Sequence, residues 1–356
     1  MAKAKWSTLH GSVIGTTHVR KGTPNQDAVG VYQLGGEREA TALAVSDGHG
    51  SSACFRSDIG SAFAVNAAIH ELADFWEFSK EFASDEDSTT RTRLHAVENF
   101  VRRELPERII SRWRDKVETH SERTPIETNP ADADLYRVYG ATLQFVLASQ
   151  SFCVFGKLGD GNLLVVDHQG KVEERFVKST EEEIGDETDS LCLMDASKKF
   201  AIDFEHYPSA QKLPDLLMAC TDGLSNAFKE KTGLVEFASD VCRYFYEEKQ
   251  LHMLHNDLTG WLKDYSGFSG DDVTVGMIFN CNSNRTIDID FDDSDDSLDA
   301  IVLDDEDSVD DQQPTAENND ETPQGTDGIT YIESSTTKEV MNENKGIPDS
   351  SEKGEI

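Results

Sequence analysis

Apolar segments of this chain repeatedly end, or begin, at an aspartate beside glycine or another polar residue, and no other feature constrains the fold as much. The segments are PNQDAVGV (Asp27), AVSDGHG (Asp47), FGKLGDGNLLVV (Asp160), LLMACTDGLS (Asp222) and FSGDDVTVGMI (Asp271, Asp272). A single Asp-Gly pair is a turn signal and nothing more. Five such segments bring carboxylates to the rims where packed sheets converge, and clustered carboxylates repel unless a cation neutralises them. Oxygen ligands without a His or Cys cluster select hard ions such as Mg²⁺ or Mn²⁺. The residues alone point to an acid-lined site for a divalent metal at a sheet edge.

The intervening pattern sets the fold class. Residues 27–34 and 40–46 read as strands joined through GGER, a glycine-containing hairpin connection. Beyond Asp47, Phe55, Ile59 and Phe63, then Val65, Ile69, Leu72 and Trp76, recur at spacings of three or four, an amphipathic helix. A second helical stretch covers 91–117 through Leu94, Val97, Val101, Leu105, Ile109 and Trp113, and Pro106 predicts a kink or break in it. Residues 118–138 read as a polar connection. Strands follow in GATLQFVLAS (140–149), SFCVFGKL (151–158) and NLLVVD (162–167), with HQGK as a turn. Segment 178–212 is polar and is expected to run irregularly over the surface. DLLMAC (215–220) reads as a buried strand, 224–265 as helical, and DVTVGMIF (272–279) as a β-branched closing strand. Strands, then helices, then strands again do not alternate as βαβ units. The expected class is α+β, with antiparallel sheets and helices on their outer faces.

Charge divides the chain. Of 68 acidic and 33 basic residues, 23 acids and 4 bases lie in 285–356. The expected organisation is a folded body, 1–283, and an acidic tail, 284–356, too poor in apolar residues to offset its chain entropy and so disordered. Ile301, Val302 and Leu303 inside the tail form a candidate docking motif, against a purely solvated tail. The six cysteines are far apart and sit mostly in apolar runs, as buried thiols of a reducing compartment do. No leader-like apolar region and no membrane-length apolar run occurs, so a soluble cytoplasmic protein is expected, away from membranes. The acidity argues against a nucleic-acid partner.

Taken in order, NQDAVGV, VSDGHG, GATLQFVLA, LGDGNLLVVD, ACTDGLSNAF and SGDDVTVGMI resemble the motif series of the metal-dependent protein serine/threonine phosphatases of type 2C. The resemblance covers about residues 11–280, and GTPNQDA and GDDVTV are most similar to bacterial members. It implies a central sandwich of two antiparallel β-sheets flanked by helix pairs, in four layers, with two or three Mg²⁺ or Mn²⁺ ions in a cleft at one end. Asp47 would bridge two ions and the Gly48 carbonyl would bind one. Asp222 and Asp271 would hold the other side, Asp27 would act through metal-bound water, and Asp160 would help bind a third, weaker ion. The implied mechanism is direct attack of a metal-bridging hydroxide on phosphorus, with His49 protonating the departing serine or threonine oxygen. The implied substrate is a phosphoprotein made by a serine/threonine kinase, and the implied state is a monomer.

The chain departs from that pattern at its N-terminal end. Where many members carry a phosphate-gripping arginine five residues before the first aspartate, this chain has Gly22. Arg20 could reach the phosphate through a longer turn, where its planar fork would suit the anion, and His18 is a second candidate. Gln26 replaces a frequent glutamate and Asp272 a frequent asparagine. The stretch between Asp160 and Asp222 falls where the family has a variable flap, and it gives no specificity signal. Two other readings stand beside the phosphoprotein phosphatase: a pseudophosphatase or scaffold that binds through its acidic tail, and a phosphatase of small phosphoesters.

Overall fold

The computed structural model describes residues 5–36, 39–84, 90–126, 134–177, 188–230, 232–248, 251–281 and 330–332. In chain order the elements are β1 (Trp6–Val13), α1 (Thr16–Lys21), β2 (Ala28–Leu34), β3 (Ala40–Ser46), α2 (Ser57–Ser84), α3 (Thr90–Arg103), α4 (Leu105–Arg123) and α5 (Leu135–Val138). They continue with β4 (Leu143–Ala148), β5 (Phe152–Leu158), β6 (Asn162–Val166), β7 (Val172–Arg175), α6 (Ala196–Lys199), β8 (Ala201–His206) and β9 (Leu216–Cys220). The last are α7 (Asp222–Ser225), α8 (Thr232–Glu248), α9 (Leu251–Ser269), β10 (Val273–Asn280) and β11 (Thr330–Ile332).

The strands form two antiparallel sheets, one ordered β1-β10-β9-β6-β7 and the other β11-β2-β3-β4-β5-β8. The expected α+β class and its flanked antiparallel sandwich are what the structure has. Strand β3 shows why its central stretch, residues 42–45, reads as an apolar run. Leu43 and Val45 face the space between the sheets, with Val146, Phe155, Leu163, Leu217 and Ile278. Ala42 and Ala44 face the other way, onto Ala64, Ala68, Ile69 and Leu72 of α2 and Trp113 of α4. Side chains alternate with period two, so a strand buried on both faces is apolar at most positions and not only at alternate ones. The small alanines let α2 lie close. Leu9, Met218, Met277 and Phe279 pack outward from the β1-β10-β9-β6-β7 sheet onto Val241 and Phe245 of α8 and Leu258 and Leu262 of α9. The layers are thus helix, sheet, sheet, helix.

Several boundaries differ from the sequence reading. The break expected at Pro106 falls at Glu104, and Pro106 lies in the first turn of α4, where its missing N–H costs nothing. The supposed connection 118–138 instead continues α4 to Arg123 and contains α5. The supposed irregular stretch contains α6 and β8, and β1 precedes everything that reads as a strand. Within the expected tail, Thr330–Ile332 pairs antiparallel with Val29–Val31 of β2. That short β-branched and aromatic run is unlike its acidic surroundings, and here a strand stands where disorder was expected. The rest of 284–356, with Ile301, Val302 and Leu303, lies outside the described residues. Among the described residues no helix is long and apolar enough to cross a membrane.

Candidate metal centre

Strand register brings the acids to one end of the sandwich. Asp27 precedes β2 and Asp47 follows β3, and Ala28 pairs with Ser46, so the next pair along is Asp27 with Asp47. Asn162 of β6 pairs with Cys220 of β9; two residues further in that register stand Asp160 and Asp222. Asp271 and Asp272 precede β10, beside the end of β9, where the Thr221 N–H donates to the Thr274 carbonyl at 3.0 Å. The sheets are joined at this rim. The Thr221 hydroxyl donates to Asp27 Oδ2 at 2.8 Å and accepts the Thr274 N–H at 3.1 Å.

The loops carrying the acids are stitched by backbone. Gly48 N–H donates to the Gln26 carbonyl at 3.1 Å, and Thr142 N–H to the Asp47 carbonyl at 2.8 Å. The Asp47 N–H in turn donates to Thr142 Oγ1 at 3.0 Å. A Cβ at position 48 would stand 2.6 Å from the Ser57 carbonyl oxygen and 2.8 Å from that of Gln26. A Cβ at position 223 would stand 1.9 Å from the Asp272 carbonyl oxygen. Both Asp-Gly turns need glycine because backbone approaches backbone there.

The acids work against one another. Burial, then the charge of Asp272, raises the Asp27 carboxyl well above the usual carboxylate range. Burial, then Asp27 and Asp222, does the same to Asp47. Asp222 is raised by burial and then by Asp160. Such mutual elevation is what close carboxylates in low dielectric produce. Among the described residues no three His, Cys, Asp or Glu side chains stand close enough together to hold a metal ion as they are oriented here. The electrostatic coupling and the shared register nonetheless identify one cluster, because both depend on proximity and not on ligand geometry. Asp27 Oδ1 is buried with no hydrogen-bond partner. A buried oxygen of that kind calls for a partner, such as water or an ion, beyond the donors the protein supplies. The donor set, carboxylates and a loop carbonyl, suits a hard divalent ion.

The other candidate residues divide. Asp160 is exposed and accepts from the Thr188 hydroxyl at 2.9 Å, and Asp271 is exposed and accepts the Asp272 N–H at 2.9 Å. His49 is held by its N–H on the Gly140 carbonyl at 3.2 Å. Burial lowers the pKa of its imidazole and the charge of Asp160 opposes that shift. Arg20 is not brought to the acids. It is exposed, and its guanidinium turns back on the Thr16 carbonyl and the Thr17 hydroxyl, both at 3.2 Å. His18, two residues before it, does come to the acids, with Nδ1 2.9 Å from Asp272 Oδ1. Thr221 and Thr142, which hydrogen-bond Asp27 and the Asp47 backbone, were not singled out from the sequence. Thr221 could have been, since it directly precedes Asp222 at a strand end. Thr142, inside GATLQF, reads as an ordinary β residue.

Among solved structures the chain is similar to the serine/threonine phosphatase Stp1 from Staphylococcus aureus, at 13% identity and TM-score 0.46, covering 78% of this chain and 97% of that one. It is also similar to the Mycobacterium tuberculosis serine/threonine phosphatase PstP/Ppp, at 14% identity and TM-score 0.44, over 77% and 98% of the two chains. A third similar structure is the catalytic domain of the serine/threonine protein phosphatase PstP with 2 manganese ions, at 16% identity and TM-score 0.43, over 78% and 98%. No curated protein sequence matches the chain. The family model for protein phosphatase 2C matches residues 14–263, which take in Asp27, Asp47, Asp160 and Asp222 and stop short of Asp271. The chain belongs to the protein phosphatase 2C family.

Proposed function

We propose that this enzyme hydrolyses phosphoserine and phosphothreonine in proteins at the rim where Asp27, Asp47, Asp160, Asp222 and Asp271 meet. Family membership makes the chain a phosphoprotein phosphatase that depends on a divalent metal. The observation that carries the site is the buried Asp27 Oδ1 without a hydrogen-bond partner, in a cluster whose acids raise one another's pKa. Asp47 and the Gly48 carbonyl would hold two Mg²⁺ or Mn²⁺ ions between them, Asp222 and Asp271 the far side, and Asp160 a third. Bound divalent ions supply Lewis acidity, activating water and offsetting phosphate charge.

The chain's own residues do the rest. Thr221 orients Asp27 through its 2.8 Å hydrogen bond, and Thr142 fixes the Asp47 backbone. His49 would donate a proton to the leaving serine or threonine oxygen. Burial disfavours the imidazolium needed for this, and the charge of Asp160 offsets part of that effect. None of the cysteines is required as nucleophile. None of the six forms a disulfide and four are buried, in keeping with a reducing, cytoplasmic setting.

The test uses the full chain stripped with EDTA and assayed on a phosphothreonine peptide. Mn²⁺ or Mg²⁺ should restore phosphate release, and Asp222→Asn should remove most of it. No turnover with any divalent ion would favour the scaffold reading, and near-normal turnover in Asp222→Asn would overturn the ligand assignment.

A further inference from the structure

The segment leading into Asp27 is pinned at both ends to one carboxylate. Asp272, only 3% exposed, accepts the Gly15 N–H through Oδ1 at 2.5 Å and the Gln26 N–H through Oδ2 at 2.7 Å. His18 brings Nδ1 to 2.9 Å from Oδ1, within ion-pair distance though outside hydrogen-bond geometry. The Thr17 N–H donates to the Gly270 carbonyl at 2.9 Å, so α1 leans on the turn that carries Asp271 and Asp272. A buried carboxylate persists only when it is paired and hydrogen-bonded. Here the pairing groups all lie in residues 15–26, directly before Asp27.

We propose that Asp272 and His18 are positioning residues for the metal-holding acids. Asp272 fixes Asp27 through the Gln26 amide and Asp271 through the chain, and His18 holds the Asp272 carboxylate in place. Asparagine cannot replace Asp272 here. Both backbone groups are donors, and an amide would turn its NH₂ toward one of them, whereas an ionised carboxylate only accepts. The pair explains why Arg20 and His18, neighbours on α1, differ: one faces solvent, the other serves the acids. This inference rests on the metal-dependent reading above. It also gives His18 a different task from gripping the substrate phosphate.

Calorimetric titration of Mn²⁺ into the EDTA-stripped full chain separates these possibilities. Groups that orient metal ligands typically contribute 10–100-fold in metal affinity. Asp272→Asn should therefore weaken Mn²⁺ binding by about 10–100-fold, and His18→Ala by about 10-fold, at the low end of that range. At saturating Mn²⁺, the KM of each variant for a phosphothreonine peptide should match that of the unmodified protein. If Asp272→Asn does not fold, His18→Ala and His18→Asn decide alone. Unchanged Mn²⁺ affinity in the His18 variants overturns the proposal. A raised KM with unchanged affinity overturns it too, and assigns His18 to the phosphate. Absence of Mn²⁺ binding by the unmodified protein is a separate result, which overturns the functional reading and this inference with it.

Discussion

Asp47 and its neighbours are placed where folding opposes their ionisation, and that has a measurable sign. A carboxyl whose pKa is raised in the folded state binds its proton more tightly there than in the unfolded chain. Its contribution to stability is therefore largest below the unfolded value of 3.8 and is lost as pH rises through the folded value. At neutral pH the metal-stripped protein carries this penalty at Asp27, Asp47 and Asp222 together. Asp47→Asn removes part of it, so the EDTA-treated variant should melt above the EDTA-treated parent at pH 7, and the gap should close near pH 3. Each kcal/mol relieved corresponds to about 2–4 °C for a domain of this general size. The same variant should show no Mn²⁺-induced gain in Tm and almost no turnover. A variant melting below its parent would contradict the electrostatic account. For His49, the expectation concerns the leaving group. General acid catalysis is typically worth about 10²–10⁴-fold, so His49→Gln should lose at least about 10²-fold in kcat on a phosphothreonine peptide. On p-nitrophenyl phosphate, whose leaving group needs no proton, the loss should nearly vanish. The strand-end acids were legible because each begins or ends an apolar run. The role of Asp272 was not, because its partners at Gly15 and Gln26 are 257 and 246 residues away in sequence.

At the scale of elements, legibility followed burial. Strands β3, β4, β5, β9 and β10 are buried at every position, and their sequences are mostly apolar runs between turn residues. Strand β8 is half-buried to exposed throughout and β1 is half-buried over its second half. Strand β1 forms one edge of its sheet and β8 one edge of the other, where one side lacks a neighbouring strand and side chains need not be apolar. Their pairing partners, not their own patterns, define them as strands. The turns between elements matter as much as the elements. The TDG turn after β9 and the DD turn before β10 lie backbone against backbone at Gly223. Adding a methyl group there forces them apart, and overpacking of this kind typically costs about 1–3 kcal/mol. Gly223→Ala should lower Tm by several degrees and reduce kcat at saturating Mn²⁺ by more than about 10-fold, because Asp222 and Asp271 move with the turns. Full activity at a lowered Tm would show that the two acids need no such registration.

The whole molecule carries a formal charge of −35, and 284–356 is proposed as an appendage to the catalytic body. A phosphoprotein substrate is itself anionic at the reacting group, so the protein's field opposes its approach at long range. Since 23 of the 68 acids and only 4 of the 33 bases lie in 285–356, removing that segment should change association more than chemistry. Its described contact is the three-residue pairing of β11 with the edge of β2, a small part of a sandwich whose core lies elsewhere. Deletion of 285–356 is therefore expected to leave Tm within a few degrees of the full chain and kcat nearly unchanged. The difference should appear in kcat/KM for an acidic phosphopeptide at low salt, which the deletion should raise. The Debye length is about 30 Å at 0.01 M and about 10 Å at 0.1 M ionic strength. Raising salt over that range should speed the full chain toward the truncated one until the two coincide. If the truncated protein melts far lower, the tail is part of the folded body through β2. If the two proteins respond identically to salt, the tail's charge does not reach the rim where the acids converge.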